Sequence, residues 1–188
     1  MRRILRDIKI PFFFLAILFA FSVWLGYEAG VLHPKESREL FSKLAEDFVL
    51  LKDIPPLMMF AFILINNAGK SLAMVILGTF FGILPILFVS INGLLVGVAA
   101  YVVIEKHDLS HFLAGTLPHG IIEVLAFCLA GAYGMQLGKR YYRKLRGKDD
   151  FRPYFFRAIK NTFKYVFPLL ALASFIEIFI TRAILNAL

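Results

Sequence analysis

The sequence predicts an all-α protein that crosses a membrane several times, and three observations support this prediction. Of its 188 residues, 60% are hydrophobic, whereas an ordinary soluble domain is nearer half apolar. The apolar residues form blocks of about twenty, the length that a helix needs to cross a bilayer. These blocks show no alternation of apolar and polar residues, which argues against a β-barrel. We therefore expect one polytopic helical bundle over residues 1–188, with about five spans.

The basic residues flank the apolar blocks and produce a net charge of +8. This placement favours contact with anionic lipid head groups and a positive-inside topology over nucleic-acid binding. The single cysteine, Cys128, lies inside an apolar block and is expected to be a packing residue. We therefore expect the lipid bilayer as a partner and no nucleic acid.

The first span is predicted from Pro11 to about Gly30, after a basic N-terminus that favours the cytoplasmic side. Residues 31–54 are predicted to form an amphipathic helix and loop outside the cytoplasm, lying on the surface or packed over the bundle. The helical spacing is carried by Leu40, Phe41, Leu44, Phe48 and Leu51.

The second span is predicted at Leu57–Thr79 and the third at Leu84–Ile104. Two glycines and a proline between Gly78 and Pro85 predict a tight turn or a broken helix near Gly82–Pro85. Gly93 and Gly97 form a small-xxx-small pair, which suits close helix contact.

The fourth span is predicted from Ser110 to beyond Gly138, which is too long for one straight crossing, so a break is expected at Pro118. Gly131 and Gly134 belong to a second seam of small residues. Residues 139–164 are strongly basic and predict a cytoplasmic segment. The last span, Tyr165–Leu185, then places the C-terminus outside.

Several polar side chains interrupt the apolar blocks. His119 and Glu123 lie four residues apart, hence on one helix face. A charged residue at the bilayer centre costs about 2.5–3.5 kcal/mol, so these groups are expected to converge inside the bundle. The whole predicted set is Asn66, Asn67, Lys70, Asn92, His119, Glu123 and Glu177.

The residues leave three uses of this set open. In the first, His119, Glu123 and Glu177 bind a divalent metal, zinc being favoured, with the asparagines as neutral ligands or neighbours. In the second, Lys70 pairs with one glutamate and the rest form a structural hydrogen-bond network. In the third, the set lines a path for protons or ions in a small transporter or channel.

A family resemblance comes from five elements taken together. They are Asn66-Asn67, Gly78…Gly82-Ile83-Leu84-Pro85, Asn92-Gly93…Gly97, Pro118-His119-Gly120…Glu123 and Ile176-Glu177…Ile180-Thr181. The chain resembles the stage II sporulation protein M family of integral membrane proteins. The resemblance implies a membrane scaffold that works with peptidoglycan-degrading partners and is not itself a hydrolase.

The functional expectation is a non-enzymatic membrane protein that forms a homo-oligomer or binds membrane or cell-envelope proteins. No hydrolytic triad, phosphate loop or dinucleotide fingerprint is present in the sequence. An intramembrane metalloenzyme is the remaining alternative. It would need a bound metal with an open position and a general base, which His119, Glu123 and Glu177 would have to supply.

Overall fold

The computed structural model describes residues 2–49, 54–148, 150–185 and 187. Within these ranges the chain is helical and contains no strand. The helices are α1 (Arg2–Leu32), α2 (Pro34–Val49), α3 (Pro56–Leu77), α4 (Ile83–Lys106), α5 (Leu109–Leu145), α6 (Arg152–Asn161), α7 (Phe167–Phe175) and α8 (Arg182–Leu185). Two π-helical segments, Thr162–Val166 and Ile176–Thr181, join the last three into one continuous helix.

Five helices are long and apolar enough to cross a membrane, which confirms the predicted number of spans. They are Ile8–Leu32, Pro56–Leu77, Ile83–Lys106, Leu109–Leu145 and Arg152–Leu185. Four of them contain a predicted span and extend beyond it, whereas the second ends at Leu77, before the predicted end at Thr79. The chain is therefore a helical membrane bundle.

The helix α5 lies at the centre of this bundle and packs against α1, α3, α4 and α7. Its second half, from Ala126 to Gly138, supplies most of its buried residues, whereas its first half is only partly covered. Most of the hydrophobic core consequently lies around the second half of α5. The less covered first half carries His119 and Glu123.

Close contact between α1 and α4 depends on glycines. A Cβ atom on Gly97 would lie 2.7 Å from the Tyr27 nitrogen and closer still to the Val23 carbonyl oxygen. A Cβ on Gly93 would lie 2.8 Å from the Phe19 carbonyl oxygen. Because these neighbours are backbone atoms that cannot rotate away, the helices approach this closely only without side chains at 93 and 97.

A similar seam joins α5 to its neighbours. A Cβ on Gly134 would lie 2.5 Å from the Met74 carbonyl oxygen, and one on Gly131 would lie 2.6 Å from the Leu15 side chain. The tight turn 78–82 lies where the sequence predicts a break, and both Phe81 and Gly82 have positive φ there. The turn separates α3 from α4, so the second and third spans are distinct helices.

The prediction of a break at Pro118 is wrong, because the 37-residue helix α5 is continuous through this position. Proline removes one backbone donor, which would otherwise bond to the carbonyl four residues earlier. The remaining hydrogen bonds on both sides keep the helix continuous. The basic segment, residues 139–164, also differs from the prediction. It forms the end of α5 and the start of the last continuous helix, which begins with α6, and only a short connection separates the two.

The surface helix α2 packs against α1 and α4, in agreement with a helix packed over the bundle. Ser37 is buried, and the Arg38 guanidinium forms an ion pair with Glu105 on α4, with Nε at 2.9 Å from Oε2. Leu40 and Leu44 are exposed. Residues 50–53, which include the predicted apolar position Leu51, lie outside the described residues.

The start of α5 is fixed by Asp108, whose carboxylate accepts hydrogen bonds from the His111 backbone N–H at 2.7 Å and the Ser110 hydroxyl at 2.6 Å. These bonds, that of Ser110 first, hold the pKa of Asp108 below its ordinary value. A carboxylate at an N-cap satisfies an otherwise unpaired helix N–H.

We expect the cap to stabilise the protein above the ordinary aspartate pKa of about 3.9. This contribution is lost as the pH falls through the lower pKa of the folded state. Asp108→Asn should keep the cap and remove this pH dependence, whereas Asp108→Ala should lower the melting temperature at neutral pH and differ less from wild type as the pH falls. Thermal unfolding between pH 3 and 7 checks this, and identical profiles for Asp108→Ala and wild type would contradict it.

Candidate functional site

A polar cluster forms where the first half of α5 meets the π-helical segment Ile176–Thr181. The His119 Nδ1 lies 3.2 Å from the Thr181 Oγ1, so a hydrogen bond joins the two helices. Thr181 is 3% exposed, whereas His119 is half-buried. Because Nδ1 is used by threonine, Nε2 is the imidazole nitrogen available for a proton, a metal or another partner.

The π-helical segment determines which side chains reach α5. Its hydrogen bonds connect residues five apart, so a π turn is wider than an α turn and is frequent at functional sites. Thr181 and Arg182 therefore follow Glu177 by about one such turn. Glu177 was predicted from the sequence as a member of the site, whereas Thr181 and Arg182 were not. Their spacing of four and five from Glu177 was the available signal.

The charges around the cluster balance without direct pairing. Glu177 lies within electrostatic range of Glu123. Lys70 on α3 acts on Glu123, and Arg182 acts on Glu177. Neither glutamate forms an ion pair with a residue in the described part of the chain. Two acidic and two basic groups thus surround one region of the bundle at longer range.

A cavity of about 440 Å³ borders the same part of α5. It lies between α1, α4 and α5, and Asn92, His119 and Glu123 contribute polar groups to mostly apolar walls. The Asn92 amide nitrogen donates to the Phe88 carbonyl oxygen at 2.7 Å, which leaves its oxygen as an acceptor. The structure therefore brings Asn92 to the cavity that His119 and Glu123 also line.

The three predicted polar residues of α3 divide between two faces. Asn67 is 8% exposed and points into the bundle, as do Ser71 and Met74. Asn66 and Lys70 are exposed and lie four residues apart on the other face. Asn66 therefore does not reach the cluster, Lys70 acts on Glu123 only at longer range, and Asn67 does not line the cavity beside His119.

The prediction of a metal on His119, Glu123 and Glu177 remains a prediction. In the ranges that the structure describes, no group of three or more His, Cys, Asp or Glu side chains is arranged to hold a metal ion. What the arrangement provides is one imidazole nitrogen, two neighbouring carboxylates and two more distant cations. Such a set can exchange protons, attract a cation or fix the register of α5 against the last helix.

Comparison with known proteins identifies one family. The family model described as "SpoIIM: Stage II sporulation protein M" matches residues 12–182. This range includes all the polar residues of the cluster. No curated protein and no solved structure matches the chain.

Proposed function

The chain belongs to the stage II sporulation protein M family, and from this premise we propose that it is a membrane scaffold. In this role it assembles with further copies of itself or with cell-envelope proteins and catalyses no reaction. The family match and the five membrane-length helices make the chain a multi-pass membrane protein.

The observation that carries the scaffold proposal is the exposed polar face of α3. Asn66 lies ten residues after Pro56 and eleven before Leu77, at the centre of a membrane-length helix. Its short side chain cannot reach either lipid–water boundary. Lys70 lies one turn away on the same exposed face. Neither side chain has a hydrogen bond or ion pair among the described residues.

Polar groups in hydrocarbon are costly when they have no partner, and in membrane proteins they usually face other protein groups. A second helix packed on this face would give Asn66 and Lys70 partners and would remove them from lipid. Gly69 lies between them and has open space around it, which allows a partner helix to approach closely. The face is therefore suited to contact with another transmembrane helix.

The experiment replaces Asn66 with leucine and measures self-association in lipid bilayers by energy transfer between labelled copies. Interhelical polar contacts contribute about 0.6–1.7 kcal/mol, so the association constant should fall about three- to twenty-fold. Lys70→Leu should weaken association in the same direction. Ile65→Leu, which keeps an exposed apolar side chain on α3, is the matched control and should leave the constant unchanged.

Equal association of wild type and Asn66→Leu would remove self-assembly through this face. A flux of ions into liposomes that is abolished by Glu123→Gln would instead favour the small transporter and count against a scaffold. The cavity beside Asn92, His119 and Glu123 is the feature on which such a transporter would depend.

The proposal also assigns an orientation and a role to the polar cluster. The basic residues at the end of α5 and the start of α6 favour the cytoplasm, which puts the N-terminus inside and the C-terminus outside. The cluster of His119, Glu123 and Glu177 serves to fix α5 against the last helix. Its imidazole and carboxylates also suit zinc, and one metal equivalent lost in His119→Ala would identify that histidine as a ligand.

A further inference from the structure

A second cavity, of about 410 Å³, lies at the end of the bundle where α4 is followed by α5. It adjoins the first cavity at Phe112 and Thr116 but is lined by neither His119 nor Glu123. The groups at its polar rim are Lys106, His107 and His111, and α2 contributes Phe41 to its wall. Neither the family match nor the scaffold proposal uses this cavity.

The acidic groups nearest to the rim already have partners. Glu105 accepts from Arg38 and from the Tyr101 hydroxyl at 3.3 Å. Asp108 accepts from the Ser110 hydroxyl and the His111 backbone. Lys106 forms no ion pair with any described residue and acts on Glu105 only at longer range, so its ammonium group is available at the rim. An anion entering the cavity would meet this charge first.

The two imidazoles add hydrogen-bond donors beside that charge. The rings of His107 and His111 are stacked, with centroids 4.4 Å apart and planes 13° from parallel. Stacking holds the two rings face to face, so their nitrogen atoms lie at the edges of the stack. A neutral imidazole donates through one nitrogen, so each histidine can give one hydrogen bond to an anion near Lys106.

The remaining wall of the cavity is apolar except for Thr116. It includes Val103, Phe112 and Leu185, while Gly115 leaves space in the same wall. The rim lies between the ends of two membrane-length helices, Ile83–Lys106 and Leu109–Leu145. This is the level at which lipid head groups are found. A cationic rim and an apolar wall at this level match a molecule with an anionic head and a hydrocarbon chain.

We propose that this cavity binds an anionic phospholipid. The phosphate lies at Lys106 and accepts hydrogen bonds from His107 and His111, and one acyl chain lies against Val103, Phe112 and Leu185. Phosphate is the chemical group that the rim recognises, and it can come from a lipid or from free inorganic phosphate. The apolar wall favours the lipid as the natural source.

The test titrates the purified full-length protein with phosphatidylglycerol and, separately, with phosphatidylcholine, and counts bound lipids by native mass spectrometry. The anionic lipid should bind wild type about tenfold or more tightly than the zwitterionic lipid, because a hydrogen-bonded charge is worth at least that ratio. Lys106→Gln should abolish most of this preference. Lys35→Gln is the control, since it removes an equal charge from exposed α2 without lining the cavity.

A second variant, Gly115→Leu, fills the apolar wall and leaves every charge in place. An added Cβ there would lie 3.6 Å from both Leu185 methyl groups, an ordinary contact distance, and helicity measured by circular dichroism checks that the fold tolerates the rest of the leucine side chain. It should weaken phosphatidylglycerol binding severalfold. Inorganic phosphate should still compete with the lipid at the rim as it does in wild type. Equal lipid binding by Lys106→Gln and Lys35→Gln, or equal binding of the two lipids by wild type, would overturn the proposal. Displacement of lipid by inorganic phosphate alone would support the rim as a phosphate site.

Discussion

Replacing Gly97 with alanine is expected to destabilise the protein by about 2–3 kcal/mol, the upper part of the range for an overpacked core. The added Cβ would lie 2.7 Å from the Tyr27 nitrogen and 2.8 Å from the Gly26 Cα, and closer still to the Val23 carbonyl oxygen. All three are backbone atoms of α1, so no side chain can rotate to make room. The two helices must separate, and packing along their shared length is lost.

The measurement is the free energy of unfolding in detergent micelles. Gly120→Ala is the matched control, because it makes the same substitution inside α5, where the added Cβ would meet only the Thr116 side chain, at an ordinary 3.5 Å. There alanine should be neutral or stabilise by about 0.5–1 kcal/mol through its better helix propensity. If both variants had the same stability, the close approach of α1 and α4 in the folded protein would be refuted.

The second large effect has the opposite sign. Ser71 on α3 is 0% exposed and Ser174 on α7 is 1% exposed, and neither hydroxyl has a hydrogen-bond partner among the described residues. A buried hydroxyl without a partner costs about 1–3 kcal/mol. Ser71→Ala and Ser174→Ala should each therefore raise the free energy of unfolding by about 1 kcal/mol, because alanine fits the same space without a polar atom.

Thr162→Val provides the control for this expectation. Thr162 is equally buried, but its hydroxyl donates to the Ala158 carbonyl oxygen at 2.9 Å. Removing a satisfied hydroxyl should lower stability, by about 0.6 kcal/mol if it resembles other hydrogen bonds in membrane proteins. A loss of stability in Ser71→Ala as large as that in Thr162→Val would show that the Ser71 hydroxyl does have a partner.

The number of spans was predictable because bilayer thickness imposes a minimum helix length, which the apolar blocks reveal directly. The continuity of α5 through Pro118 was not predictable from the same pattern. Proline weakens a helix locally, but packing along the rest of α5 decides whether the helix continues. The π-helical segment at Ile176–Thr181 was equally hidden, since residue types there are compatible with an ordinary α-helix.

The polar residues show a similar division. The requirement that ionisable groups avoid lipid predicted that Glu123 and Glu177 converge inside the bundle, and this stays a prediction. It gave no information on which face of α3 each asparagine occupies, because Asn66 and Asn67 are adjacent and differ by only 100° around the helix. Hydrogen bonding of His119 to Thr181 depended on the wider π turn, which the sequence pattern does not display.

The length of α5 has a geometric consequence. Thirty-seven residues at about 1.5 Å each give a rod about 55 Å long, against a hydrocarbon thickness of about 30 Å. Even at a steep tilt of about 40° the rod covers about 42 Å along the bilayer normal. Part of α5 must therefore extend beyond the hydrocarbon, and its basic tip reaches at least the head-group layer, where lipid phosphates can pair with it.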